Sequence, residues 1–169
     1  EIGFFDPDFF MIYEDVDLSF RAQLSGYDCV YLPQAIVYHR YRSTLGRAPT
    51  VQVFYAQRNI EFVYLKNIPA LMMLRSFPWR IAYELGAAAY FIRHGAGLSF
   101  ARAKIEALKN LPDLLAKRRR IQRAKTRSNH QLRAMLQDSM FLPKWRKLFA
   151  QKRAVPTRLQ SPSPATGNK

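Results

Sequence analysis

Three carboxylates, Glu14, Asp15 and Asp17, fall within four positions of a run that is otherwise apolar. Phe9, Phe10, Met11, Ile12 and Tyr13 precede them, and Val16, Leu18 and Phe20 are interleaved. Ionised carboxylates do not enter an apolar interior without partners, and clustered apolar side chains seek a core. A helix that starts here meets both demands. Its period brings Val16, Phe20 and Leu24 to one face, and acids in the first turn match the positive end of the helix dipole, for up to about 1 kcal/mol. The spacing predicts a helix over residues 14–25, with Gly26 as a left-handed C-terminal cap. On these residues alone, the cluster reads as a solvated, dipole-matched first turn.

The surrounding signals are local and short. Asp6-Pro7 suits the first two positions of a turn. The runs "YDCVYLP" and "AIVYH", β-branched and aromatic and separated by Pro33-Gln34, predict a strand–turn–strand. "VQVFYAQRNIEFVYLKNIP" predicts a helix ended by Asn67 and Pro69. "RSFPWRIAYELGAAAYFIRHGAG" is the most apolar stretch. Arg75, Arg80, Glu84 and Arg93 interrupt it, so no window approaches the ~20 residues that a bilayer span needs. In "GLSFARAKIEALKNLPDLLAKRRR", Leu98, Ala101, Ile105 and Leu108 form a stripe with Arg102, Lys104 and Lys109 away from it. That is an amphipathic, basic helix suited to a domain surface or an anionic membrane.

Charge divides the chain. Seven acids and one base, Arg21, lie before His39, whereas 26 bases and five acids follow, within a formal net charge of +15. Such asymmetry implies two jobs, the basic one meeting something anionic. Nucleic acid is the weaker candidate, since zinc-finger spacing, aromatic RNA-binding signatures and basic-zipper heptads are all missing. An anionic membrane surface suits the amphipathic helices better. The single cysteine, Cys29, excludes an internal disulfide and a cysteine zinc cluster; its apolar setting predicts a buried thiol in a reducing compartment. The chain opens at Glu1 without a methionine or a signal-peptide pattern, from which a piece of a larger protein is expected. The expected organisation is 1–50 as the acceptor-side part of a catalytic domain, 51–127 as a helical, basic, membrane-associating region, and 128–169 as a basic tail with a disordered end.

The ordered series "GFFDPDFFMIYEDVDLSFRAQLSGY" and "VYLPQAIVYH" resembles the C-terminal part of the catalytic domain of family 2 inverting glycosyltransferases, particularly bacterial rhamnosyltransferase-like members. The likeness is close over residues 1–46 and looser through "FYAQRNIEFVYLKNIP", where a Y-x-x-R-N helix is usual. It implies an α/β fold, the C-terminal part of a GT-A-type (Rossmann-like) nucleotide-sugar transferase domain, followed by amphipathic α-helices. It also implies roles: Asp15 as the general base, Glu14 tuning the site, and Asp17 supporting the helix start and the substrate side. His39 falls where metal-dependent members hold a divalent cation, Mn²⁺ or Mg²⁺. Arg42 and Ser43 fall in a following loop suited to phosphate contacts.

Physical chemistry fits those roles. A general base must reach the acceptor hydroxyl and be partly desolvated, which a floor of Phe9, Phe10 and Met11 is expected to provide. A neutral histidine suits Mn²⁺ better than Mg²⁺. Without the resemblance, His39 reads as an exposed strand-end histidine; His94 and His130 match nothing. The donor-binding Asp-x-Asp of the family has no counterpart in context, because Asp6-Pro7-Asp8 and Asp15-Val16-Asp17 sit in the acceptor-side segment. A C-terminal fragment, inactive by itself, is therefore expected. The implied partners are a nucleotide-sugar donor, a polysaccharide or lipid-linked glycan acceptor, and the inner face of the plasma membrane, with no specific nucleic acid. The competing expectation is a non-enzymatic basic module that binds nucleic acid or anionic lipid.

Overall fold

The computed structural model describes residues 2–38 and 49–137. Among these residues a 3-10 turn at Pro7–Phe9 leads to six helices: α1 (Glu14–Leu24), α2 (Pro49–Asn67), α3 (Ala70–Arg93), α4 (Gly97–Lys109), α5 (Leu111–Arg123) and α6 (Asn129–Gln137). The chain divides at Arg133 into a first unit, Glu1–Arg133, and a second that begins at Ala134. Helix α2 is the axis of the first unit, with α1, α4 and α5 packed around it and α3 resting on α4.

Local signals placed most boundaries. Helix α1 ends one residue before the expected limit, and Gly26 follows with φ +94, the left-handed conformation that favours glycine. Asn67 ends α2 before Pro69. The stretch read as one amphipathic helix is corrected to two: Asn110 separates α4 from α5, and Pro112 occupies the first turn of α5, where its missing N–H costs nothing. The predicted strands are corrected: no strand occurs among the described residues, so the α/β fold is not seen there. A strand requires a neighbour to complete its ladder. Residues 27–38 have none, and Val30, Tyr31, Val37 and Tyr38 stand exposed. Cys29 is likewise exposed rather than buried, its Sγ 3.7 Å from Gln23 Nε2.

The core is small and joins distant parts of the chain. Phe9, Phe62, Val63, Ala107 and Leu114 are buried together, with Tyr13, Val16, Phe20 and Leu65 against them. The C-terminal carbonyls of α2, which no helix can satisfy for itself, are met by α5. Arg118 donates to Leu65 O and Ile68 O at 2.7 Å each, and Gln122 donates to Asn67 O at 2.9 Å. Helices α2, α3 and α4 are cross-tied by Glu61 and Glu84, each paired with both Arg80 and Lys104.

Beneath α1 lies a buried charge network. Asp17 is fully buried; Arg21 Nε donates to Oδ2 at 2.9 Å, and Lys66 Nζ and Asn67 Nδ2 approach Oδ1 at 3.0 and 2.8 Å. Lys66 also pairs with Asp6, which Lys117 reaches at 3.0 Å. Arg21 further holds the carbonyls of Ile2 and Phe4. Removing one partner of a buried ion pair strands the other charges and typically costs about 3–5 kcal/mol. Asp17→Ala should therefore lower unfolding stability in urea by that amount, and a loss below about 1 kcal/mol would rule out the network as a main support.

Candidate functional site

The site is built on a loop that enters α1 under unusual backbone conditions. Asp6 caps the 3-10 turn by accepting from Asp8 N at 3.2 Å. Phe9 then turns inward and meets Phe62 edge-on, centroids 5.8 Å apart. The chain next passes through positive φ at Phe10 (59), Ile12 (63) and Tyr13 (70). For bulky side chains each such residue costs on the order of 1–3 kcal/mol and persists only where surroundings impose it.

Two side chains of α2 supply that restraint. Asn59, fully buried, places Nδ2 at 2.9, 2.6 and 2.8 Å from the carbonyls of Phe9, Met11 and Ile12. Arg58 donates through its NH2 nitrogen to Asp8 O at 2.6 Å and Phe9 O at 3.1 Å, and through Nε to Asn59 Oδ1 at 2.9 Å. Its guanidinium lies 4.9 Å from the ring centroids of both Tyr55 and Phe62, and burial pulls its pKa down from the ordinary value. Both residues belong to the Tyr55-Ala56-Gln57-Arg58-Asn59 run.

The loop delivers Glu14 and Asp15 to the first turn of α1, where Tyr13 is the N-cap without any side-chain cap. Asp15 is exposed; Oδ1 accepts from Val16 N at 2.8 Å, and Oδ2 is uncommitted among the described residues. Glu14 is half-buried, and its Oε2 is buried without a hydrogen-bond partner among the described residues. A buried acceptor left unpaired costs about 1–3 kcal/mol, so such an atom calls for an explanation. Asp17, one turn on, has both oxygens occupied by Arg21, Lys66 and Asn67. The expected apolar floor does not form as such, because Phe9 is drawn into the core and Phe10 is 72% exposed.

The acids upstream are neutralised internally. Lys66 and Lys117 bond to Asp6 and hold its carboxyl at about 2, against the upward push of burial. Lys117 is in turn raised above the ordinary lysine value by bonds from Asp8, Asp6 and Asp113, which outweigh its burial. Among the described residues no three potential ligands converge on a point where a metal ion could sit. His39, Arg42 and Ser43, the other expected site residues, lie outside the described residues. The Y-x-x-R-N likeness took in Arg58 and Asn59 without giving them a role, and Lys66 and Lys117 were not singled out as builders of this region. The available signal was the polar trio Gln57-Arg58-Asn59 inside an otherwise apolar helix.

Residues 1–82 match the family model described as Glycosyl transferase family group 2. That span contains the loop, both carboxylates, α1 and all of α2, and the match supports a family 2 glycosyltransferase-like domain. No curated protein and no solved structure matches the chain.

The Asp6 pairing gives stability a defined pH dependence. Its folded pKa lies below the ordinary 3.8, so the pairing contributes fully above about pH 4 and fades as pH falls toward 2. Asp6→Asn should lower the urea midpoint at pH 6, and the gap to wild type should shrink progressively between pH 4 and 2. A gap that stays constant over that range would exclude Asp6 as its source.

Proposed function

We propose that this chain forms the acceptor side of an inverting, nucleotide-sugar-dependent glycosyltransferase, with Asp15 as the general base. The observation that carries the reading is the presentation of Asp15: an exposed carboxylate at a helix start, beside the unpartnered Glu14 oxygen, behind a loop held in strained geometry. Asp15 takes the proton of an acceptor hydroxyl as the hydroxyl oxygen attacks the anomeric carbon. The new C–O bond forms opposite the departing nucleoside diphosphate, and the configuration inverts. Glu14, beside Asp15, tunes the site through its partly buried carboxylate. Asp17 contributes to the substrate side indirectly, by fixing the turn of α1 beneath the pair. The family match over residues 1–82 supports transfer of a glycosyl group in general. A rhamnosyl-type donor and a cell-surface polysaccharide or lipid-linked acceptor are the finer reading. Arg42 and Ser43 are assigned to phosphate contacts and His39 to a metal-dependent donor site completed elsewhere.

The test is Asp15→Asn in the full-length protein, assayed as nucleoside diphosphate release from a panel of nucleoside-diphosphate sugars. Turnover should fall at least about a hundredfold with donor affinity unchanged. Retention of more than about a tenth of wild-type turnover would remove Asp15 from this role.

The same reading places the protein at the inner face of the plasma membrane. No helix among the described residues is long and apolar enough to cross a membrane. Helix α3 nevertheless buries none of its 24 residues. Leu74, Phe77, Trp79, Leu85 and Ile92 stand exposed on it, and Leu98, Ile105 and Leu108 on α4. Helix α4 packs through Ala103 and Ala107 instead, so the stripe is free to meet a partner. Arg75 and Arg93 on α3 and Arg102 and Lys109 on α4 are also exposed, and a base near anionic lipid is worth about 1 kcal/mol. Apolar surface plus bases favours a lipid headgroup boundary over nucleic acid, which needs the bases alone. Replacing Leu98 and Ile105 by Ser, with every base retained, should sharply reduce co-sedimentation with anionic vesicles while weak, salt-sensitive DNA binding persists. Undiminished vesicle binding would show that charge alone holds the surface.

A further inference from the structure

We infer that Arg58 and Asn59 are positioning residues for the Glu14–Asp15 pair. They impose the positive φ of Phe10, Ile12 and Tyr13 and so fix where α1 begins and where its leading carboxylates point. The structural half of the inference stands on geometry, and the catalytic half rests on the glycosyl-transfer reading above.

The loop cannot dictate this conformation itself. Positive φ favours glycine and, less strongly, asparagine and aspartate. The residues that adopt it here are Phe10, Ile12 and Tyr13, the second of them β-branched. The determinant must act from elsewhere, and α2 supplies it from 47 to 50 residues away. One buried amide faces three carbonyls, which curls the backbone around Asn59. Arg58 secures the entry to that curl at Asp8 and Phe9, and its Nε bond to Asn59 Oδ1 makes the two side chains one unit. The aromatic faces of Tyr55 and Phe62 keep the guanidinium in place.

The coupling to the carboxylates is direct in the chain. Tyr13 adjoins Glu14, and its carbonyl accepts from Asp17 N at 2.9 Å, the first hydrogen bond of the helix. The body of α1 is anchored separately by Asp17, Arg21 and the buried Leu24. Loss of the clamp should therefore release the first turn while the rest of α1 stays docked. Glu14 and Asp15 would lose their direction, whereas Asp17 would not.

The decisive substitution is Asn59→Asp, which keeps the shape, removes both donors and sets an acceptor against three carbonyls. Arg58→Lys is the milder companion, keeping the charge and losing the fork, should Asn59→Asp fail to fold. Two measurements are made on the full-length protein. Amide hydrogen exchange should rise at least about tenfold over residues 10–16 and stay unchanged over residues 20–25, as local opening of one segment requires. Turnover, read as nucleoside diphosphate release, should fall about tenfold or more with donor KM nearly unchanged, since displacing a catalytic group by ~1 Å can cost 10²-fold. In an Asp15→Asn background the same substitution should change turnover less than about twofold, because a residue acting through Asp15 has nothing left to position. Unchanged exchange would overturn the clamp, and an equal loss of turnover in both backgrounds would overturn positioning. If wild-type turnover proves independent of Asp15, the glycosyl-transfer reading fails, and the exchange measurement still decides whether Arg58 and Asn59 set the loop.

Discussion

The buried carboxylate of Asp17 is the interaction on which the rest of the first unit depends. A carboxylate with no exposure must be fully compensated, and Asp17 obtains this from three directions. Arg21 comes from its own helix, and Lys66 and Asn67 come from the end of α2. Two of these partners are shared: Arg21 holds the carbonyls of Ile2 and Phe4, and Lys66 continues to Asp6 and through it to Lys117. The chain thus joins its acidic beginning to its basic helices through a few desolvated contacts. The overall charge asymmetry finds a partial physical account here, since some bases of the later helices exist to meet acids of the first segment.

What the sequence made legible was what local chemistry decides. Helix α1, its glycine cap and the end of α2 follow from residues within a few positions. The acidic pair at 14 and 15 was visible as a candidate site, and the structure sets it at a helix start. Strands over 27–38 were not a safe inference, because β-branched and aromatic residues specify a strand only when a neighbouring strand is available. Burial of Asp17 was equally hidden. Its pattern matched an exposed first-turn acid, and only contacts with residues some 50 positions away turn it into a core group. The Arg58–Asn59 clamp escaped for the same reason: its significance lies in main-chain carbonyls, which carry no side-chain signature.

The site also shows how polar and apolar forces share one task. Phe9 pins the loop from below by burial, while Asn59 and Arg58 pin it through the backbone. Lys66 serves both, pairing with two carboxylates and lying 4.8 Å from the Phe9 ring centroid. Aromatic burial fixes depth, and directional hydrogen bonds fix rotation; neither alone would hold three bulky residues at positive φ.

The capping of α2 by α5 bears on how such chains can be recombined. The family-matching span ends at residue 82, yet the carbonyls that close α2 are answered by Arg118 and Gln122, and Asp6 receives a second cation from Lys117. The border of the matched span therefore runs through the middle of an interlocked body rather than along its edge. A gene exchange that imported a new tail after α3 would have to bring a lysine, an arginine and a glutamine in the same helical register, or leave the older segment without its clasp. Helix α5 is tied by this to the segment it closes, and α3, which buries no residue completely, is held to α2 and α4 through the ion pairs of Arg80 and Glu84.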